Sequence, residues 1–257
     1  MSETLGLLFG STTGGVLYEA VGTASPFVFE AACMVLATVA VAWHAAPSAR
    51  PSTPRLAWCD YELLKAVWRV PGVLLMSLTS GALIAIQTGI LVFLYPLFLA
   101  KQGHLRPESI GYLISLSVLG RLLALRLGGG LSDRWGRAVV IIPGLLAYGA
   151  LLGSLTCITH PVLLGAWSLM IGGASGFVAT IPTAVVGDRV LPPHQAIAIG
   201  WLRTVSDSGF IVGPLIFGAL ADATLLSAPF VLAAAILAVI AWRCRYLGDP
   251  FRPTPTR

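Results

Sequence analysis

A chain of 257 residues that is 56% hydrophobic and only 11% charged, with a mean hydropathy of +0.86, lies outside the range of soluble domains, in which about a quarter of residues carry charge. Its net charge of +5 comes from sixteen Lys and Arg scattered along the sequence rather than gathered into one stripe, which points to membrane topology and away from nucleic acid. The four cysteines (Cys33, Cys59, Cys157 and Cys244) have no C-x-x-C spacing and no accompanying histidine cluster, so neither a metal site nor a redox centre is expected.

In chain order, apolar segments run over 4–20, 25–46, 71–99, 109–130, 138–157, 161–186, 195–221 and 225–243. Most are long enough for a transmembrane helix of ~20 residues. The expected fold class is therefore an all-α integral membrane protein with about eight spanning helices. The first segment is short and glycine-rich, and it follows Met-Ser-Glu-Thr, which is acidic where an export signal would be basic. Residues 47–70 are polar and broken by Pro47, Pro51 and Pro54; they read as a linker, with an amphipathic surface helix over 60–70. The expected organisation is 1–46, a linker 47–70, a helical unit 71–243 and a tail 244–257.

Charge orients this layout. One side would carry 47–70, 131–137, 187–194 and the tail from Arg243, with eleven Lys and Arg; the other side has two, Lys101 and Arg106. The positive-inside rule then places both termini and the linker in the cytoplasm, with the chain in a plasma or inner membrane. Three arginines, Arg121, Arg126 and Arg203, fall within helices.

Between the segments 109–130 and 138–157 lies the run Gly130, Leu131, Ser132, Asp133, Arg134, Trp135, Gly136, Arg137. It reads as a tight charged turn at a membrane surface. Gly130 and Gly136 permit backbone angles and close approaches that other residues resist. Asp133 is placed to accept from free N–H groups at a helix start, and Arg134 and Arg137 bring the positive charge of a cytoplasmic face. Read from Gly129, the pattern G-x-L-S-D-R-x-G-R resembles the loop signature of the major facilitator superfamily of secondary transporters. The signature marks the family and not the cargo.

An internal repeat supports that resemblance. Residues 6–27 and 209–230 align without a gap, and Gly6, Gly10, Gly15, Leu17, Ala20, Pro26 and Phe27 match Gly209, Gly213, Gly218, Leu220, Ala223, Pro229 and Phe230. Facilitator-type carriers are built from two similar halves. The resemblance implies that the fragment from Gly209 is the eleventh helix of a twelve-helix carrier and the fragment from Gly6 the fifth. On this reading the chain holds helices 5–12: 1–46 are the last two helices of the amino-terminal half and 71–243 the six-helix carboxy-terminal half. A complete carrier would then need roughly 130 further residues upstream, enough for four spans of ~20 residues and their loops.

Several positions are candidates for chemistry. Gly6, Gly10, Gly14 and Gly15 resemble the fifth-helix glycine motif of the proton-driven antiporter branch, although Ser11 stands where that branch usually has proline. With Gly209, Gly213, Pro214 and Gly218 they form a helix-packing motif, small residues at four-residue spacing that let backbones approach. Arg203 and Asp207 lie one turn apart on one helix face; they form either a static ion pair or, through Asp207, a titrating proton site. Arg121 needs an anion or a cavity, and Asp207 is one candidate partner. Gln87 and Tyr95 punctuate the seventh helix and are candidates for substrate contact or for interhelical hydrogen bonds, with Pro96 placed to bend the helix.

The resemblance implies transport of a small organic solute by alternating access. Proton-coupled efflux of the drug and metabolite antiporter kind is the first reading, with Asp133 and Arg137 at the gate and Arg203, Asp207 and Arg121 in coupling. Uniport or symport on the same scaffold and a truncated, non-transporting membrane subunit are the alternatives. Expected partners are the lipid bilayer, a small-molecule substrate and protons, with self-association or a missing amino-terminal half completing the cavity. No cofactor, metal or enzymatic activity is expected, since the sequence holds no Walker loop, no Ser/His/Asp group and no His-Glu-x-x-His helix.

Overall fold

The computed structural model describes residues 24–44, 72–101, 107–158 and 160–246, together with Gly22, Trp68, Val70 and Leu105. The chain divides into two compact units, Met1–Asp60 and Tyr61–Arg257. In the first unit, α1 (Ser25–His44) is a single 20-residue helix with an apolar stretch over Phe27–Trp43. The segment expected over 4–20, with Gly6, Gly10, Gly14 and Gly15, lies outside the described residues. So does the surface helix expected over 60–70, apart from Trp68 and Val70.

The second unit is a helical bundle. Its helices are α2 (Val73–Lys101), α3 (Pro107–Trp135), α4 (Arg137–Ser154), α5 (Pro161–Ala179), α6 (Ile181–Arg189), α7 (Gln195–Ala223) and α8 (Ala228–Tyr246). With α5 and α6 counted as one span, six of the described helices are long and apolar enough to cross a membrane, and no strand occurs among the described residues. The protein is an all-helical, multi-pass integral membrane protein. Its surface agrees with that: Leu78, Phe93, Leu123, Met170, Ile211 and Leu215 are all exposed. Water would penalise such a belt and hydrocarbon does not.

Helix pairs carry the packing. The closest are α3 with α5, α2 with α7 and α4 with α8. Lipid is as apolar as leucine, so association rests on close van der Waals contact between small residues. Along α3 and α5, a Cβ added at Gly120, Gly128 or Gly172 would fall inside the facing backbone at Leu169, Phe177 or Ser117 respectively. The α2–α7 seam repeats the device. A Cβ at Gly209 would sit 2.5 Å from the Gly81 carbonyl oxygen, and one at Gly89 2.7 Å from Gly213. Gly209 and Gly213 therefore lie in close contact with the facing helix. Gly218 does not: nothing lies within 4 Å of its missing Cβ. Pro214 lies inside α7, only part-buried, and is not among the residues buried on that helix.

Two spans are irregular where the sequence places prolines. The stretch Gln87–Leu94 of α2 is π-helical and ends just ahead of Pro96, whose ring removes an N–H and crowds the preceding turn. Such widened turns are frequent at functional sites. The α5–α6 span breaks at Thr180, with Pro182 in the first turn of α6.

Several buried hydroxyls are satisfied within the bundle. Ser77, Thr79, Ser168 and Ser206 each donate to the carbonyl four residues earlier, at 2.7–2.9 Å. Ser206 and Ser80 meet across α7 and α2 at 2.6 Å.

Candidate functional site

The charged run does not form the turn expected of it. α3 continues as helix through Trp135, and α4 starts at Arg137, so Gly136 alone makes the connection. Gly136 has φ 96° and ψ 146°, a conformation that side-chain-bearing residues rarely enter. Gly130, by contrast, is helical and has open space around its missing Cβ, so no backbone demand falls on it. Asp133 is not a helix cap. It sits in the last turn of α3, and no side chain caps the start of α4. Arg134 is exposed in that last turn, where the helix dipole favours a cation.

Asp133 instead pairs with Arg137 across the break. The Arg137 Nε also donates to Asp188 Oδ2 at 3.0 Å, and its Nη1 donates to Ser132 Oγ at 2.7 Å. One guanidinium thus joins the ends of α3, α4 and α6. Its side chain is 16% exposed, against 62% for Asp133 and 59% for Asp188. Each of the three charges sits at the helix end its sign disfavours: the carboxylates near C-termini and the cation at an N-terminus. Each therefore needs the others, and the cluster is a latch, a set of contacts favourable only while the three helix ends are together. Asp188 was not singled out from the sequence. Its signal is an acid in the last turn of a helix, where the dipole should exclude it.

At mid-membrane the expected pairings do not form. Arg203 and Asp207 are both exposed on α7 and make no ion pair; both ion pairs among the described residues belong to Arg137. An exposed guanidinium–carboxylate contact gains little over the entropy of holding two side chains, which leaves the pair apart. With Gly200 and Thr204 they form an exposed face of α7, while Leu202, Ser206, Gly209 and Gly213 are buried on the other. Asp207 is ~18 Å from Gln195 along the helix, near the middle of the span. Ionisable groups at that depth face water or another protein surface rather than lipid.

Arg121 lies midway along α3, between Pro107 and Trp135. Its neighbours are not the expected Asp207. It lines a small cavity with Ser80, Gln87, Tyr148 and Ser175, closed by Leu83, Ile84 and Ala179. Tyr148, which the sequence analysis did not single out, is 1% exposed. Gln87 thus stands at a cavity. Tyr95 does not: it is 1% exposed, its hydroxyl is 2.5 Å from Ser168 Oγ, and its ring lies against Trp167. Of the two expectations for Tyr95, the structure shows the interhelical hydrogen bond. Among the described residues, no cluster of His, Cys, Asp and Glu is suited to a metal.

Comparison with known proteins places this arrangement. The family profile described as Major Facilitator Superfamily matches residues 77–257. Multidrug resistance protein 1 of Bacillus subtilis (strain 168) is 30% identical over 149 residues, which are 56% of this chain and 38% of that protein. Multidrug resistance protein 2 of the same organism is 30% identical over 154 residues, 60% of this chain and 38% of that protein. Quinolone resistance protein NorA of Staphylococcus aureus (strain MRSA252) is 30% identical over 142 residues, 54% of this chain and 36% of that protein. The match therefore spans less than two fifths of the length of these curated relatives.

Proposed function

From the premise that the chain belongs to the Major Facilitator Superfamily, a family of transporters, we propose that it moves a small organic solute across the bilayer by alternating access, in the direction of proton-coupled efflux. The observation that carries this reading is the polar face of α7. Arg203, Thr204 and Asp207 are exposed at the middle of a membrane-crossing helix, a place that is costly unless water or a partner wall lies against it. The names of the relatives, multidrug and quinolone resistance, suggest an amphipathic organic cargo. In this mechanism the six-helix unit is one of two halves that rock about a central site. The other wall comes from a further segment or from a second copy.

The test is flux in everted vesicles from cells that express the chain. An amphipathic cationic dye should accumulate when the interior is acidified, and a protonophore should stop it. Asp207→Asn should abolish gradient-driven accumulation while leaving dye exchange intact, because the amide keeps the shape but carries no titrating proton. Gradient-driven accumulation unchanged in Asp207→Asn removes the proton role of that residue. A rate no greater than that of vesicles lacking the protein removes the efflux of amphipathic cations.

Orientation belongs to the same proposal. The eleven-to-two distribution of Lys and Arg puts the latch and both termini in the cytoplasm. In a cysteine-free background, Pro54→Cys should be labelled by an impermeant maleimide only after the membrane is opened, and Gly103→Cys in intact cells. Labelling of both in intact cells overturns this topology.

A further inference from the structure

The Arg121 cavity holds an electrostatic imbalance. Arg121 lies at the centre of a spanning helix, and its Nε is buried without a hydrogen-bond partner; the Tyr148 hydroxyl is likewise buried and unpartnered. The two line the same small cavity. Ser175 donates to the Gly172 carbonyl at 2.7 Å and Ser80 meets Ser206, and neither hydroxyl accepts from Arg121 Nε. None of the lining side chains is acidic. A guanidinium Nε buried without an acceptor and a buried hydroxyl without a partner each carry an unmet penalty. A single group would relieve both: one that is negatively charged and accepts two hydrogen bonds.

The cavity sets the size of that group. Its volume is about 30 Å³, and one water-sized centre needs about 10–15 Å³, so two oxygen-sized atoms fit. That is the head of a carboxylate. The cavity is also open on one side, so the remainder of such a ligand lies outside it, and the Gln87 amide stands on its wall at the start of the π-helical stretch. The donor is held in place from behind: α5 lies so close that a Cβ at Gly176 would be 2.5 Å from the Arg121 carbonyl oxygen. We infer that Arg121 and Tyr148 form a binding niche for the carboxylate of a small organic anion. One carboxylate oxygen accepts from Arg121 Nε and the other from the Tyr148 hydroxyl. The inference deepens the transport reading and rests on it for the role of the site, though not for binding.

The experiment is equilibrium binding to the purified chain in lipid nanodiscs, with no gradient present. Benzoate is the probe and benzamide its neutral counterpart, read by calorimetry and by the melting temperature. Benzoate should bind and raise the melting temperature, and benzamide should do neither. Tyr148→Phe, which keeps the packed ring, should weaken benzoate binding by about tenfold, the value of one hydrogen bond to a charged group. Arg121→Gln should abolish it, and Arg121→Lys, which keeps the charge but loses the planar donor, should retain part of it and guards against a folding defect in the first variant. Absence of benzoate binding, equal effects of benzoate and benzamide, or full-strength binding to both Tyr148→Phe and Arg121→Lys would each overturn the proposal. A chain that binds benzoate as described but moves no solute would instead leave the niche standing and remove the transport reading.

Discussion

Replacing Arg137 by Gln is expected to reduce solute flux at least about tenfold while the protein remains folded. The reason lies in the latch. Arg137 is the cation that satisfies both Asp133 and Asp188, and without it two carboxylates remain at the C-terminal ends of α3 and α6, each opposed by the helix dipole. Exposed pairs are individually worth only about 0.2–1 kcal/mol. Here one part-buried guanidinium serves two carboxylates and a serine hydroxyl, so a combined loss of about 1–3 kcal/mol follows. That is small beside the packing of six spans, hence the intact fold. It is large beside the free-energy difference between two conformations, where about 1.4 kcal/mol shifts a population tenfold. Arg137→Lys should fall between parent and Gln, because an ammonium keeps the charge but lacks the fork that reaches two carboxylates at once. Asp133→Asn and Asp188→Asn should each lower flux by a similar and smaller factor than Arg137→Gln, since each removes one of the two carboxylates that Arg137 serves. Flux in vesicles, normalised to the amount of folded protein, is the measurement; unchanged flux in Arg137→Gln would remove the latch from the mechanism.

How far this site could be read from the sequence depends on the range of the interaction. The spans were legible because an apolar run of ~20 residues has few alternatives in a bilayer. Their ends were less so. Ser132 to Trp135 look like loop by polarity, yet they are helical, since nothing in them forbids a helix and the backbone yields only at Gly136. The i,i+4 spacing of Asp133 and Arg137 contains their pairing, but a reading that broke the helix at Gly130 hides it. Arg203 and Asp207 have the same spacing and do not pair. Spacing places two side chains on one face, and the surroundings decide whether they meet. The neighbours of Arg121 and the partner of Tyr95 come from distant segments: Tyr148 and Ser175 line the same cavity as the first, and Ser168 bonds the second. No local pattern carries such contacts.

The second large effect is expected in the fold itself. Gly172→Leu should eliminate the folded monomer in detergent, and Gly172→Ala should lower its melting temperature by several degrees. A Cβ at Gly172 would fall inside the Ser117 backbone of α3, and that neighbour is main chain, not the far end of a flexible side chain. The helix must therefore move as a whole. Moving it also opens the contacts at Gly120, Gly128 and Gly176, which lie along the same seam, so the loss propagates over several turns. Overpacking by a single methyl typically costs about 1–3 kcal/mol, and a leucine in the same place exceeds what local adjustment can absorb. Glycine content by itself is not the cause, and Gly218 provides the control. It is also a helical glycine in a spanning segment and the repeat mate of Gly15, yet nothing lies within 4 Å of its missing Cβ. Gly218→Ala should melt within about a degree of the parent, or slightly above it, since alanine is the better helix former. Fluorescence-detected size exclusion after a heating series distinguishes the cases. If Gly172→Ala and Gly218→Ala melt together, the α3–α5 seam is not packed backbone to backbone, and the position of Arg121 opposite Gly176 loses its support as well.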